Sequence, residues 1–119
     1  MNVETKYGIP IDAALLRNYF DTLVDQFYKI LPMRENEEST LRIYMDSLLK
    51  ELLGCQGLIG ELGSDARYMT LLSILQYFTD NPDCSVQIVK REVFRAIRLC
   101  NYLQKTYGRK AVQEGQVKE

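Results

Sequence analysis

Residues 85–108 read SVQIVKREVFRAIRLCNYLQKTYG, and this stretch decides the fold. Val86, Val89, Val93, Ala96, Cys100, Leu103 and Tyr107 follow one another at steps of three and four, with Ile97 beside them. At 3.6 residues per turn, that spacing stacks the apolar side chains into one seam along a helix. The turn Asp80-Asn81-Pro82-Asp83 precedes the helix, and Gly108 sits where a left-handed residue would end it. A second stripe runs opposite the seam. Arg91, Arg95, Arg98, Tyr102, Lys105 and Arg109 are spaced by four, three, four, three and four residues, giving a basic line with an aromatic inside it.

The same period extends outward. Leu16, Phe20, Leu23, Phe27 and Ile30 predict a helix from an Asp12 cap to Pro32, with Ile11 and Leu16 spaced as a hydrophobic staple. A polar connection, Met33 to Glu38, leads to a second helix capped by Asn36 or Ser39. Its inner positions are Leu41, Met45, Leu48 and Leu52, widened by Tyr44, Leu49 and Leu53, with Asp46 and Lys50 paired on the outside. The rhythm continues through Cys55, Ile59 and Leu62, but Gly54, Gly57, Gly60 and Gly63 interrupt it. Each glycine costs about 1 kcal/mol relative to alanine inside a helix, which predicts a break or kink near Gly54. A third helix runs from a Ser64 or Asp65 cap to Thr79. It is apolar nearly all round, leaving Thr70, Ser73 and Gln76 as a narrow polar strip.

A helix of that kind is either the central member of the fold or half of a subunit interface. Tyr68, Leu71, Ile74, Tyr77 and Phe78 are accordingly candidate oligomer-interface residues, with a homodimer as the expectation. The pattern as a whole predicts an all-α chain, an antiparallel four-helix bundle-like array with a short fifth helix or a kink around residues 54–63. The expected organisation is an N-terminal extension over 1–11, one helical domain over 12–108 and a frayed polar tail over 109–119. No internal repeat and no period-two strand is visible.

Composition narrows the chemistry. The 119 residues suit one domain, and there is no histidine. That absence excludes Ser-His-Asp and Cys-His nucleophilic sites, His-based zinc sites, Glu-x-x-His di-iron sites and histidine pH switches. Cys55, Cys84 and Cys100 are odd in number and widely spaced, which argues against a disulfide framework or a zinc site and for small buried thiols. The glycine series lacks the flanking strand and the Gly-Lys-Ser/Thr ending of phosphate-binding loops, so it reads as a helix end. Asp21 and Asp25, and the cluster Glu35, Glu37 and Glu38, have basic neighbours one turn away or lie in a loop, as solvated carboxylates do. No metal, cofactor or catalytic residue is expected. Glu4 near the start, with no apolar run behind it, and a longest charge-free run of twelve residues (Tyr68 to Thr79) predict a cytoplasmic chain without a membrane span.

The net charge of −1 conceals an asymmetry. Residues 86–110 carry seven basic side chains against Glu92 alone, whereas residues 1–85 carry seven bases and thirteen acids. Arg91, Arg95, Arg98, Tyr102 and Lys105 are therefore candidate contacts to a partner or to phosphates. The expected function is a small, non-enzymatic helical interaction protein acting by helix-face docking, the basic stripe selecting an acidic partner. The alternative is a nucleic-acid-binding protein that uses the stripe on backbone phosphates and Tyr102 for stacking. The acidity of the remaining chain counts against that alternative.

Overall fold

Asp12 holds an extended backbone (φ −61°, ψ 133°) and turns the chain into α1 (Ala13–Tyr28). In this computed structural model, which describes residues 3–8 and 10–113, five further helical segments follow. They are α2 (Ile30–Glu35), α3 (Leu41–Leu58), α4 (Gly60–Gly63), α5 (Ala66–Asp80) and α6 (Val86–Gln113). The fold is all-α with bundle-like packing. A small antiparallel hairpin precedes it, pairing β1 (Val3–Glu4) with β2 (Pro10–Ile11) in the register Val3 to Ile11 and Glu4 to Pro10.

Side-chain contacts fix the directions of the long helices. Phe20 of α1 stacks on Tyr107 of α6 at 5.7 Å, while Tyr28 meets Phe94 edge-on at 6.1 Å. Numbers rise along one helix as they fall along the other, so the pair is antiparallel. The Tyr19 hydroxyl donates to Glu51 Oε2 (3.0 Å) and that of Tyr44 to the Gln26 carbonyl (2.7 Å), setting α3 antiparallel to α1. Tyr68 donates to the Leu52 carbonyl at 2.6 Å, joining α5 to α3. The Arg67 guanidinium lies 5.1 Å from the Tyr102 ring centre, joining α5 to α6. Four long helices thus alternate in direction, with α6 closing back on α1.

The core follows the seams. Ala13, Leu16, Phe20, Leu23 and Phe27 are buried from α1, and Leu41, Met45, Leu48, Leu49 and Leu52 from α3. Val89, Val93, Ala96, Ile97, Cys100, Leu103 and Tyr107 are buried from α6. Each side chain of the Leu or Phe class removed from water stabilises the fold by about 1.5–3 kcal/mol before ordering entropy is counted. Burial raises the acidities of this layer as well. It pushes the Cys100 thiol up to about 12 and drives the Tyr68 and Tyr107 phenols well above their ordinary range.

The element boundaries differ from the sequence expectation in instructive ways. The first helix ends at Tyr28 rather than Pro32. Pro32 does cause the stop, one turn upstream, because its ring crowds the carbonyl four residues back and supplies no N–H to it. It then sits in the first turn of α2, where no N–H is required, so part of the expected polar connection is helical. Thr40 precedes α3, in place of Asn36 or Ser39. Between them Glu37 takes a left-handed φ of 50° to turn the chain.

The expected break near Gly54 falls instead at Ile59, where the backbone becomes extended (φ −115°, ψ 98°). Ile59 and Leu62 are buried there, and the Lys6 N–H from the hairpin takes the Leu58 carbonyl at 2.7 Å. Core packing and this capping bond decide the break, while Gly54 and Gly57 remain inside α3. The short fifth helix expected in 54–63 is α4. Asp65 caps α5, its side chain accepting from the N–H groups of Arg67 and Tyr68 at 2.8 and 3.3 Å. Gly108 does not end α6, which runs through it to Gln113. A β-carbon at Gly108 would lie 3.3 Å from Arg17 Cδ, so an added methyl would have to displace that flexible side chain of α1 slightly. The expected extension over 1–11 contains the hairpin, with Val3 and Thr5 buried. The expected tail over 109–119 is helical as far as 113, and its remainder lies outside the described residues.

Candidate interaction surface

With its seam committed to α1 and α5, α6 turns Arg91, Phe94, Arg95, Arg98, Tyr102, Lys105 and Arg109 outward. All five sequence-predicted contact residues, Arg91, Arg95, Arg98, Tyr102 and Lys105, are exposed on this one face. The ring of Tyr102 is 54% exposed, with the Arg67 guanidinium of the neighbouring helix over it. Such a cation–π contact contributes about 0.5–1 kcal/mol at an exposed site and holds both groups in place. Among the described residues, Arg98 and Lys105 have no carboxylate partner. Lys90 lies 3.9 Å from Glu35, and Lys110 pairs with Glu61, so the two ends of the helix are tethered to the rest of the bundle.

Arg91 and Arg95 share a single acid. Glu92, whose side chain is only 14% exposed, is 3.3 Å from the Arg91 guanidinium and 3.3 Å from Arg95 Nη1. Across from them α5 presents Thr70, Ser73 and Tyr77. Together with Ile74, these residues enclose a groove of about 390 Å³ between the helices. The hydroxyls of Thr70 and Ser73 donate to the Ala66 and Met69 carbonyls at 2.8 and 3.1 Å, whereas that of Tyr77 makes no hydrogen bond among the described residues. On the α1 side, Tyr28 and Phe94 form a half-exposed aromatic pair next to the basic line.

The second set of sequence candidates is placed differently. Tyr68, Leu71, Ile74 and Phe78 are buried within this chain, and of that set only Tyr77 reaches the surface, at 40% exposure. The interface assignment for α5 is corrected accordingly. Most of its apolar side chains pack between α3 and α6, which is the central-member alternative, while Met69 and Tyr77 stay partly exposed. Sequence reasoning missed Arg67, which lies on α5 while its partner Tyr102 lies on α6. It also left Thr70, Ser73 and Gln76 as one strip, whereas Thr70 and Ser73 face α6 and Gln76 faces the α3 side.

The remaining chemistry-bearing groups are dispersed. Among the described residues, no three His, Cys, Asp or Glu side chains converge on a point where an ion could sit. Cys100 is buried, while Cys55 and Cys84 are half-buried, Cys55 lying 3.7 Å from the Tyr19 hydroxyl. The Tyr19 phenol is pushed well above its ordinary range, first by burial and then by Cys55 and Glu51. No described helix is long and apolar enough to cross a membrane. No protein family matches the chain, and neither a curated protein nor a solved structure shows significant similarity to it.

Proposed function

We propose that this chain is a non-enzymatic interaction module that docks the outer face of α6 against an acidic surface of a protein partner. The observation that carries this reading is the division of labour along α6. Its inner face completes the core, while Arg91, Arg95, Arg98 and Lys105 stand outside it with Tyr102 and Phe94 among them. Exposed aromatics flanked by arginines are the side chains that anchor protein interfaces, because they bury much area at low entropic cost. Unpaired basic groups on the same face accelerate encounter with an acidic surface and reject basic ones.

A nucleic-acid reading draws on the same basic groups. The acidic remainder of the chain opposes an extended polyanion, and one face of Tyr102 is already covered by Arg67. The two readings separate in one titration. A labelled acidic peptide containing an aromatic residue and a single-stranded oligonucleotide of matched charge are each titrated with the protein, and Arg98→Glu with Lys105→Glu is compared with wild type. Docking to protein predicts tighter binding of the peptide, weakened by the double reversal. Tighter binding of the oligonucleotide, falling steeply with salt, would replace this reading with the second.

A further inference from the structure

The groove between α5 and α6 contains an internal clue to its ligand. Glu92 places a carboxylate between two guanidiniums, but both contacts are 3.3 Å, whereas well-made charge-assisted bonds of this kind are about 2.7–2.9 Å. Two forks of five N–H donors each are thus occupied loosely by one two-oxygen acceptor, with most of their donors still unused. Across the groove, the Tyr77 hydroxyl is free to donate, and those of Thr70 and Ser73 can rotate away from their helix carbonyls to do the same. The donors converge from two helices around one small space.

From Arg67 to Thr79, α5 offers no carboxylate, and Glu92 is the only acid lining the groove. Beyond Tyr77 the surface turns acidic with Asp80 and Asp83, so a continuing chain of phosphates would meet repulsion there. The space suits one compact, multiply charged oxyanion better than a polyanion.

We propose that this groove receives a single phosphoryl monoester carried on a side chain of the acidic protein partner, with Glu92 as its resident stand-in. The inference rests on the docking reading above and adds to it a defined anchor. Arg91 and Arg95 would turn from the Glu92 carboxylate to the terminal oxygens of the phosphoryl group. The hydroxyls of Thr70, Ser73 and Tyr77 would donate from the opposite wall.

The test is an amide and arginine side-chain NMR titration of the intact protein with phenyl phosphate at constant ionic strength. Acetate and dimethyl phosphate serve as a carboxylate and a diester control. The expected result is saturable shifts confined to residues around Thr70, Ser73, Arg91 and Arg95, with both controls at least about tenfold weaker. Arg91→Gln with Arg95→Gln should weaken phenyl phosphate by about tenfold or more, because two charge-assisted contacts are lost. Glu92→Gln should strengthen it several-fold, because the internal competitor is gone; a purely structural Glu92 would leave affinity unchanged or lower. Lys105→Glu should alter it by less than about twofold, since ten helical residues span about 15 Å, more than a Debye length at physiological salt. Shifts that stay linear in concentration, controls that bind equally well, or a Glu92→Gln variant that binds no tighter would each overturn the proposal. Because the docking reading predicts that Lys105→Glu weakens the acidic peptide while sparing the groove, phenyl phosphate can fail while peptide docking survives. That outcome sinks this inference alone.

Discussion

Helices α5 and α6 lie side by side and answer opposite questions. The first is apolar in nearly every direction and packs most of that surface inside its own chain, burying Tyr68, Leu71, Leu72, Ile74, Leu75 and Phe78. The second is strictly two-faced and leaves a basic, aromatic surface to solvent. The lesson is that a helix with surplus apolar surface does not by itself indicate a partner. In a closed ring of four helices, neighbours on both sides can absorb that surplus. A helix that keeps charge and aromatics outside a complete seam has groups, here Arg98 and Lys105, that no ion pair among the described residues uses.

The comparison can be broken by substitution. Removing a fully enclosed side chain from α5 should have the largest effect. Phe78→Ala is expected to cost about 3–5 kcal/mol in urea or guanidinium unfolding, because a large cavity opens in a layer with no exposure. If it costs less than about 1 kcal/mol, α5 is not central. Phe94→Ala, on the half-exposed α6 surface, should fall well below that value in the same assay.

A smaller effect attaches to the α5 phenol. Tyr68→Phe removes the 2.6 Å bond to the Leu52 carbonyl and should cost about 0.5–1.5 kcal/mol at neutral pH. The phenol also predicts a pH dependence. Burial raises Tyr68 above its ordinary 10.0 and Cys100 from 9.0 to about 12, so both fold as the neutral form. Their stabilisation is complete below the unfolded-state values and is lost as the pH climbs, from pH 9 towards 12 for the thiol and from pH 10 upward for the phenol. The denaturation midpoint should therefore be insensitive to these groups near neutrality and decline in alkali. Tyr68→Phe should make the decline shallower, and an unchanged slope would show that the phenol is not buried as described.

The smallest effects belong to positions that touch little. Gly54→Ala should stabilise the protein by about 0.5–1 kcal/mol, because Gly54 is helical and nothing lies within 4 Å of an added β-carbon. Gly108→Ala, which meets Arg17 at 3.3 Å, should gain less. Arg98→Ala should leave unfolding within about 0.5 kcal/mol of wild type, which separates a surface used for binding from one used for folding. A larger loss at Arg98 would place that residue on the structural side of the comparison.

The inner faces of α1, α3 and α6 were legible because one period governs each helix. Leu16, Phe20, Leu23 and Phe27 fall at the spacing that a single helix dictates, and so do Val89, Val93, Ala96 and Cys100. The orientation of α5 was only partly legible, since a strip of three polar residues marks its outer side but not which helix lies on either flank. The break at Ile59 was also hidden. Two glycines within α3 cost about 2 kcal/mol together, an amount that packing of Leu52 and Ile59 can outweigh. The hairpin strands are two residues each, too short for alternation to register. The basic stripe could be read from α6 alone, but the groove could not. Pairing Arg67 with Tyr102, or Thr70 and Ser73 with Arg95, requires knowing which helices are neighbours and in which direction they run.

The most direct test of the central claim compares the outer face of α6 with an exposed apolar site on α3 in one binding experiment. Fluorescence anisotropy of the labelled acidic peptide is measured against wild type, against Arg98→Glu with Lys105→Glu on α6, and against Leu53→Ser on the exposed side of α3 as a neutral control. The account predicts a loss of about tenfold or more for the α6 variant and a change of less than about twofold for the control, with both variants folded. Equal affinities for all three proteins would contradict it.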